Sequence, residues 1–119
     1  MKIDVRYQQN VPVLDLTGKL TRGDGDDLLC TTVEQLLAGG GPGQLLINLD
    51  KVPYMDSAGI GALMSCFQRA SAAGGTLKLL NPLKRVYDVL QLVKLDTVFE
   101  IFQDEAAALD SFPADGPPP

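Results

Sequence analysis

Apolar and polar residues alternate strictly near the start of the chain, over residues 3–8. This alternation predicts a strand with one face on a core and the other in water. A second apolar segment covers residues 11–17, and only Gln9 and Asn10 separate it from the first. So short a connection predicts that the two strands form an antiparallel hairpin.

After the hairpin, helical periodicity alternates with short apolar runs. Apolar faces beginning at Leu29, Ile60 and Leu83 predict three helices. Asp24 is the predicted N-cap of the first helix, since acidic residues follow it in the first turn. Asn81 followed by proline predicts the N-cap of the third. The remaining elements are strands at 45–49, 76–80 and 98–102 and a last short helix at 104–112.

The predicted order of elements is therefore β-β-α-β-α-β-α-β-α. Helical crossovers between strands predict an α/β fold whose mixed sheet is mainly parallel, with an N-terminal antiparallel hairpin and about four helices. The length of 119 residues suits one domain, which we assign to residues 1–112. The proline-rich residues 113–119 are predicted to be a disordered tail.

Composition narrows the class of function. A hydrophobic content of 45% with 21% charged residues indicates a folded globular chain. The net charge of -5 argues against nucleic-acid binding, and no apolar run suggests a signal peptide or a membrane-inserted helix. Cys30 and Cys66 lie in apolar helical patterns typical of reduced, buried thiols. Together these features predict a cytoplasmic protein.

The chain has no histidine, which removes the commonest general base and metal ligand. We therefore expect no enzyme activity, no metal and no cofactor. The nucleophile elbow of a hydrolase has the motif Gly-x-Ser-x-Gly, and Met55 stands where its first glycine is required, so this class is disfavoured. The glycines at 39–43 lack the Lys-Ser/Thr of a P-loop. Asp24, Asp26 and Asp27 lack the distal glutamate of a calcium loop.

Ser57 is the main candidate for a functional residue. It is predicted to lie where a strand-to-helix loop meets a helix N-terminus, and free N–H groups and the helix dipole stabilise anions there. Gly59 and Gly61 keep the first turn free of bulk, so that a partner's active site can approach the backbone. Two alternatives stay open: Asp56 and Ser57 can simply cap the helix, and the glycines can mark tight helix–sheet packing.

Residues 47–63, INLDKVPYMDSAGIGAL, resemble the signature of the STAS family, and more closely that of bacterial anti-sigma factor antagonists. The core of the resemblance is Met-Asp-Ser-x-Gly-aliphatic-Gly. Residues 16–20 are similar to the family's second strand, and residues 74–82 to its later strand and turn. The resemblance extends from about residue 3 to residue 112, with the same order of elements.

This resemblance implies a partner switch. The unphosphorylated antagonist binds an anti-sigma factor that is a serine kinase, and this binding releases the sigma factor. Phosphorylation of the motif serine, here Ser57, ends the binding, and a serine phosphatase restores it. A monomer or weak dimer is expected. The alternative within the family is a non-phosphorylated scaffold or regulatory subunit of a stressosome or a phospholipid-transport complex.

The predicted partner-binding surface combines two loops and one helix face. Family members often carry an aspartate at the position of Thr21, and Asp24 and Asp26 are expected to supply that charge here. The full predicted set is Thr21, Asp24, Asp26, Tyr54, Met55, Asp56, Ser57, Ala58, Gly59, Ile60, Ser65, Gln68 and Arg69.

Overall fold

The computed structural model describes residues 1–41 and 43–113, which form a five-stranded sheet and four helices. The strands are β1 (Lys2–Gln8), β2 (Val11–Thr17), β3 (Leu45–Lys51), β4 (Leu77–Leu80) and β5 (Ile101–Phe102). The helices are α1 (Asp26–Ala38), α2 (Ser57–Ala72), α3 (Lys84–Leu92) and α4 (Glu105–Asp110), and a 3-10 turn (Leu95–Thr97) follows α3. The predicted order of elements is confirmed.

The strands lie across the sheet in chain order, from β1 to β5. β1 pairs antiparallel with β2, and every later neighbour pairs in parallel. Gln9 and Asn10 form the hairpin turn with left-handed φ angles of 51° and 65°. Two left-handed residues match the twist of a hairpin, so this short turn closes without splaying the strands. The predicted mixed, mainly parallel sheet is confirmed.

The larger core lies between one face of the sheet and helices α1, α2 and α3. Leu14, Ile47 and Leu79 form a fully buried row across the three central strands. From the helical side, α3 contributes the buried Val86 and Leu90. Each crossover returns from the end of one parallel strand to the start of the next, so α1 and α2 run side by side in the same direction.

The smaller core lies on the opposite face of the sheet, under α4. Val13 and Leu46 contribute from the central strands, and Leu109 and Phe112 contribute from α4 and the residues after it. The central strands are therefore covered on both faces, which explains why β3 begins as a continuous apolar run.

Charged side chains hold both ends of α4. Arg6 donates to Glu105 in the first turn, with 3.0 Å between Nη1 and Oε2, and to Asp15 with 2.7 Å between Nε and Oδ2. At the other end, the buried Lys78 donates from Nζ to the carbonyl oxygen and Oγ of Ser111, at 3.2 and 2.8 Å. A carboxylate at the N-terminus and an ammonium at the C-terminus both match the helix dipole.

The predicted N-cap of α1 is wrong. The helix begins at Asp26, and Gly25 with a φ of 100° holds the N-cap position. The Asp24 carboxylate instead accepts a hydrogen bond from the amino group of Met1 at 2.8 Å. The glycine can adopt this left-handed conformation, and it shifts the start of the helix by one residue from the predicted cap.

The predicted cap of α3 is also wrong. The helix begins at Lys84, and Leu83, in the extended conformation usual for an N-cap, holds the N-cap position. Asn81 is instead left-handed, with a φ of 49°, and its N–H donates to the carbonyl oxygen of Phe102 at 2.8 Å. Asn81 therefore closes the end of β4, and Pro82 follows as part of the connection rather than as the first helical residue.

The last strand is shorter than predicted. Regular pairing covers only Ile101–Phe102, because the N–H groups of Val98 and Phe99 both donate to the carbonyl oxygen of Leu95 in the preceding turn. This turn directs the buried Phe99 ring edge-on against Phe67, with 5.2 Å between ring centroids. α4 falls within the predicted range 104–112. Of the predicted tail, residues 114–119 lie outside the described residues.

Candidate functional site

Two loops meet at the carboxyl ends of β2 and β3, and backbone hydrogen bonds join them. The N–H of Leu20 donates to the carbonyl oxygen of Tyr54 at 3.0 Å. The N–H of Asp56 donates back to the carbonyl oxygen of Leu20 at 3.3 Å. Leu20 and Met55, both buried, thereby form a short parallel bridge. The loop before α1 and the loop before α2 therefore act as one structural unit.

Asp56 is the N-cap of α2 and also links the two loops. Its Oδ1 accepts from the N–H of Gly59 at 3.0 Å, and its Oδ2 accepts from the N–H of Arg22 at 3.1 Å. These hydrogen bonds, from Gly59 first and then from Arg22, lower the pKa of Asp56 below its usual value. The carboxylate is therefore ionised at neutral pH. One of its oxygens accepts a hydrogen bond from the loop before α1, and the other accepts one from the first turn of α2.

Ser57 is the first residue of α2, and it is exposed. The capping alternative raised by the sequence thus falls on Asp56 rather than on Ser57. Ser57 directly follows the ionised Asp56 in the chain, at the positive end of a 16-residue helix. An exposed serine in this position is sterically available to a kinase.

The two motif glycines have different roles. A Cβ atom at Gly59 would overlap the carbonyl oxygen of Leu20 and lie 2.8 Å from Cγ of Met55. Gly59 is therefore required for close approach of the helix to the neighbouring loop. A Cβ atom at Gly61 would meet nothing within 4 Å, since this residue lies on the exposed side of α2. Of the two glycines, only Gly61 keeps the exposed surface of the first turns of α2 free of a side chain.

The acidic loop before α1 is compact. Thr21 and Asp24 exchange two backbone hydrogen bonds of 3.0 Å each. Oδ1 of Asp26 accepts from the N–H of Gly23 at 3.1 Å. The side chain of Asp24 lies at the surface and pairs with Met1 as described above. All three predicted loop residues are thus on the same side of the molecule as Asp56.

The predicted residues around Ser57 differ in exposure. Tyr54 is exposed over 44% of its surface, and Ala58 and Ile60 are half-buried. Met55 is only 3% exposed and Gly59 is buried. These last two residues shape the site from within and do not offer side-chain surface to a partner.

The predicted helix face lies farther away. Ser65, Gln68 and Arg69 follow Ser57 by two to three turns of α2, which corresponds to roughly 12–18 Å along the axis. Arg69 forms an ion pair with Glu34 of α1, with 3.1 Å between Nη2 and Oε1, and its Nε lies 3.5 Å from Oγ of Ser65. Arg69 thus contacts α1, Gln68 is exposed, and none of the three residues adjoins Ser57.

The sequence did not reveal the contributions of Leu20 and Arg22 to the site. Both act through backbone atoms: the carbonyl oxygen and N–H of Leu20, and the N–H of Arg22. Any residue type supplies these groups, so no side-chain signal marks the positions. The resemblance over residues 16–20 and the predicted binding loop around Thr21 pointed to this region, but not to these backbone groups.

Residues 1–41 and 43–113 contain no group of three or more cysteine, aspartate or glutamate side chains placed to hold a metal ion. Within the same ranges, none of the helices combines the length and apolar character needed to cross a membrane.

In a comparison with protein-family models, the model of the STAS domain family matches residues 2–108 of this chain. This chain therefore belongs to the STAS domain family. The predicted resemblance is confirmed at this level, and the motif around Ser57 lies inside the matched range.

Curated relatives carry a common description. The anti-sigma-B factor antagonist of Bacillus subtilis is 28% identical over 101 residues, covering 85% of this chain and 90% of that protein. A Thermotoga neapolitana protein named as an anti-sigma factor antagonist homologue is 30% identical over 70 residues. That match spans 59% of this chain and 62% of the relative's length.

Solved structures share the fold. The anti-sigma factor antagonist SpoIIAA in its unphosphorylated form superposes with a TM-score of 0.78 and 22% identity, over 92% of this chain and 94% of that one. The phosphorylated form of the Bacillus protein SpoIIAA superposes with a TM-score of 0.71 and 21% identity, over 92% and 97%. At these identities the likeness establishes the fold.

Proposed function

We propose that this chain is an anti-sigma factor antagonist whose partner binding is switched by phosphorylation of Ser57. The proposal rests on one observation at the start of α2: the capping residue and the exposed serine are two different residues. Asp56 provides the cap, while Ser57 presents an exposed hydroxyl at the helix N-terminus. The names of the curated relatives support the same class of function.

Electrostatics gives the switch a physical basis. A phosphate on Ser57 adds about -1.5 to -2 charges at neutral pH. The lowered pKa of Asp56, caused by hydrogen bonds from Gly59 and Arg22, keeps a negative charge beside it. The helix dipole stabilises the phosphate within this chain. A partner that docks over the same spot would have to desolvate or oppose both anions, which disfavours the complex.

In this scheme the unphosphorylated chain binds an anti-sigma factor that is also a serine kinase, and the sigma factor is released. Transfer of phosphate to Ser57 ends the complex, and a serine phosphatase resets the switch. SpoIIAA has been solved in both an unphosphorylated and a phosphorylated form, and the present chain shares its fold. We place the protein in the cytoplasm, as a monomer or weak dimer.

The proposed docking surface is smaller than the set predicted from sequence. It comprises the loop of Thr21, Asp24 and Asp26 together with the exposed parts of Tyr54 and Ser57. Hydrogen bonds between Leu20, Tyr54 and Asp56 keep the two loops together in a fixed relation. Preorganised loops reduce the entropy lost on binding, which favours specific recognition.

The first test is to locate phosphate on the chain. The purified protein is incubated with ATP and an extract of its own host, and the sites of phosphate are then mapped by intact mass and peptide mass spectrometry. We expect one phosphate on Ser57, absent from the Ser57→Ala variant. Ser71, an exposed serine near the end of the same helix, provides the matched control, since Ser71→Ala should keep the phosphate.

If Ser57 stays unmodified with extracts from growing, starved and stressed cells, the result would count against the switch. That result would favour the scaffold or regulatory-subunit alternative, in which the motif serine is not a kinase substrate.

A further inference from the structure

The two cysteines lie on neighbouring helices and pack in one apolar cluster. Cys66 of α2 is fully buried in the larger core. The prediction of a buried thiol is wrong for Cys30 of α1, which is partly exposed and packs against the edge of the same cluster. Neither takes part in the site around Ser57, and both are free thiols.

An ion pair shows how α1 and α2 are aligned. Glu34 and Arg69 bridge the two helices at 3.1 Å. Cys30 precedes Glu34 by four residues and Cys66 precedes Arg69 by three, which places them roughly 6 and 4.5 Å nearer the N-termini. Because the helices run in the same direction, the two cysteines stand at the same level of the seam between them.

The chemistry of the thiols is consistent with this placement. Burial, together with the neighbouring Cys30, raises the pKa of the Cys66 thiol to about 12. Cys66 therefore stays protonated and shielded, whereas Cys30 is the thiol that a dissolved oxidant can reach.

We propose that Cys30 and Cys66 form an oxidant-responsive disulfide that joins α1 to α2. Hydrogen peroxide or a related hydroperoxide is the class of oxidant. This modification site does not depend on the partner-switching function proposed above.

The reaction balances in two steps. The Cys30 thiol gives up its proton and its sulfur attacks one peroxide oxygen; the S–O bond forms, the O–O bond breaks, and the departing oxygen takes up that proton and leaves as water. The sulfur is oxidised to a sulfenic acid and the peroxide is reduced. The Cys66 thiol gives up its proton as its sulfur attacks the Cys30 sulfur; the S–S bond forms, the S–O bond breaks, and the leaving hydroxide takes up that proton and departs as a second water. In sum, two thiols and one hydrogen peroxide give one disulfide and two waters.

The location of the bond gives it a consequence for the site. α1 and α2 start at the two loops that the Arg22–Asp56 hydrogen bond joins. A covalent link between these helices restrains the movement of one loop against the other. Oxidation would thereby add a covalent restraint to the hydrogen bonds that already join the loops around Ser57.

The test uses the purified, reduced full chain in native buffer. The chain is treated with hydrogen peroxide, remaining thiols are blocked with N-ethylmaleimide, and the protein is digested for peptide mass mapping. We expect a cross-linked Cys30–Cys66 peptide, with loss of the two thiol hydrogens, that dithiothreitol separates. The Cys30→Ser and Cys66→Ala variants should yield no cross-linked peptide.

A parallel sample oxidised in concentrated urea shows whether the fold brings the thiols together. We expect faster cross-linking in the native chain than in the unfolded one. Cross-linking only in urea would overturn the proposal. Conversion of Cys30 to sulfinic acid or to an intermolecular disulfide, with Cys66 left free in native buffer, would overturn it as well.

Discussion

At the scale of single residues, one side chain at the start of α2 caps the helix and the next one is left free at the surface. The Asp56 carboxylate satisfies N–H groups of Gly59 and Arg22, so it stabilises both a helix end and a loop. Ser57 beside it is exposed. A residue that is not needed for folding can be modified without loss of the fold, which suits a reversible switch.

If the proposed switch operates, replacing Ser57 with aspartate should weaken binding of the proposed anti-sigma factor partner on the order of 100-fold, a typical coupling for a switch. The added carboxylate places a second anion beside Asp56 on the docking surface. Because a negative charge is favourable at a helix N-terminus, the fold itself should be at least as stable as in the wild type. Calorimetric titration of both forms against this partner, with thermal unfolding in parallel, checks both expectations. Equal affinities would contradict the proposed switch.

Gly59→Ala should destabilise the fold by about 1–3 kcal/mol or more, the usual cost of inserting a group into a filled space. The new methyl group would overlap the Leu20 carbonyl oxygen and Met55, and the backbone on both sides can move only by separating the two loops. Gly61→Ala is the matched control, and it should stabilise the chain by about 0.5–1 kcal/mol because it adds helix propensity in open space. Urea unfolding of the two variants measures the difference. Similar midpoints for both would show that the close approach at Gly59 is not constraining.

The residue-level prediction from sequence was therefore partial. Asp56, Ser57 and Gly59 were identified by their order along the chain, since caps and helix starts are local features. The separation of roles between Gly59 and Gly61 could not be predicted. It depends on the Leu20 carbonyl oxygen, which belongs to a loop far away in sequence.

At the scale of elements, charged side chains contact both ends of the short helix α4. Arg6 bridges Glu105 of α4 and Asp15 of β2. The hydrogen bond from Arg6 lowers the pKa of Glu105. Burial acts to raise the pKa of Asp15, but hydrogen bonds from Arg6 and Asn48 outweigh it and the pKa is lowered. Both carboxylates are thus more acidic in the folded chain than in the unfolded one.

Arg6→Gln should lower the free energy of unfolding by about 1 kcal/mol at neutral pH, given that the side chains are partly exposed and screened. A depressed carboxylate pKa gives stability that is present above the unfolded-state value near 4 and lost as the pH falls through the folded-state value. The difference in the free energy of unfolding between wild type and variant should therefore disappear below about pH 4. Urea unfolding from pH 7 to pH 2.5 measures it.

The matched control for this variant is Lys84→Gln, which breaks the exposed pair of Lys84 and Asp88 on α3. An exposed i,i+4 pair is worth only about 0.3–0.5 kcal/mol. A gap for Arg6→Gln that is no larger than for Lys84→Gln would argue against an energetic role for the Arg6 bridge.

The elements themselves were predictable because their periodicity is local, whereas several boundaries were not. β2 and the hairpin turn follow from the apolar segment and from the short two-residue connection, in which Asn10 is a residue type that tolerates left-handed angles. At the start of α3, Asn81 bonds to Phe102 on the neighbouring strand instead of capping the helix. The start of β5 is delayed because Phe99 bonds to Leu95 in the preceding turn. Tertiary bonds of this kind override cap and strand propensities.

At the scale of the whole molecule, the two faces of the sheet are unequal. Among the described residues, three helices cover one face with a continuous apolar core, while α4 of six residues covers the other. Opening α4 exposes a few apolar side chains and breaks the bridges at its ends, but it leaves the larger core intact. Ser57 and the loops around it belong to the well-packed side.

α4 should therefore open separately from the rest of the molecule. In native-state hydrogen exchange, the amides of Ala107 and Ala108, which donate to Asp104, should exchange through a local opening with little dependence on denaturant. Amides in β3 should exchange only through global unfolding. Added salt should speed exchange in α4 selectively, because it screens the partly exposed charges of the Arg6 bridge. Exchange of α4 and β3 at one common free energy would instead show that the two faces form a single cooperative unit.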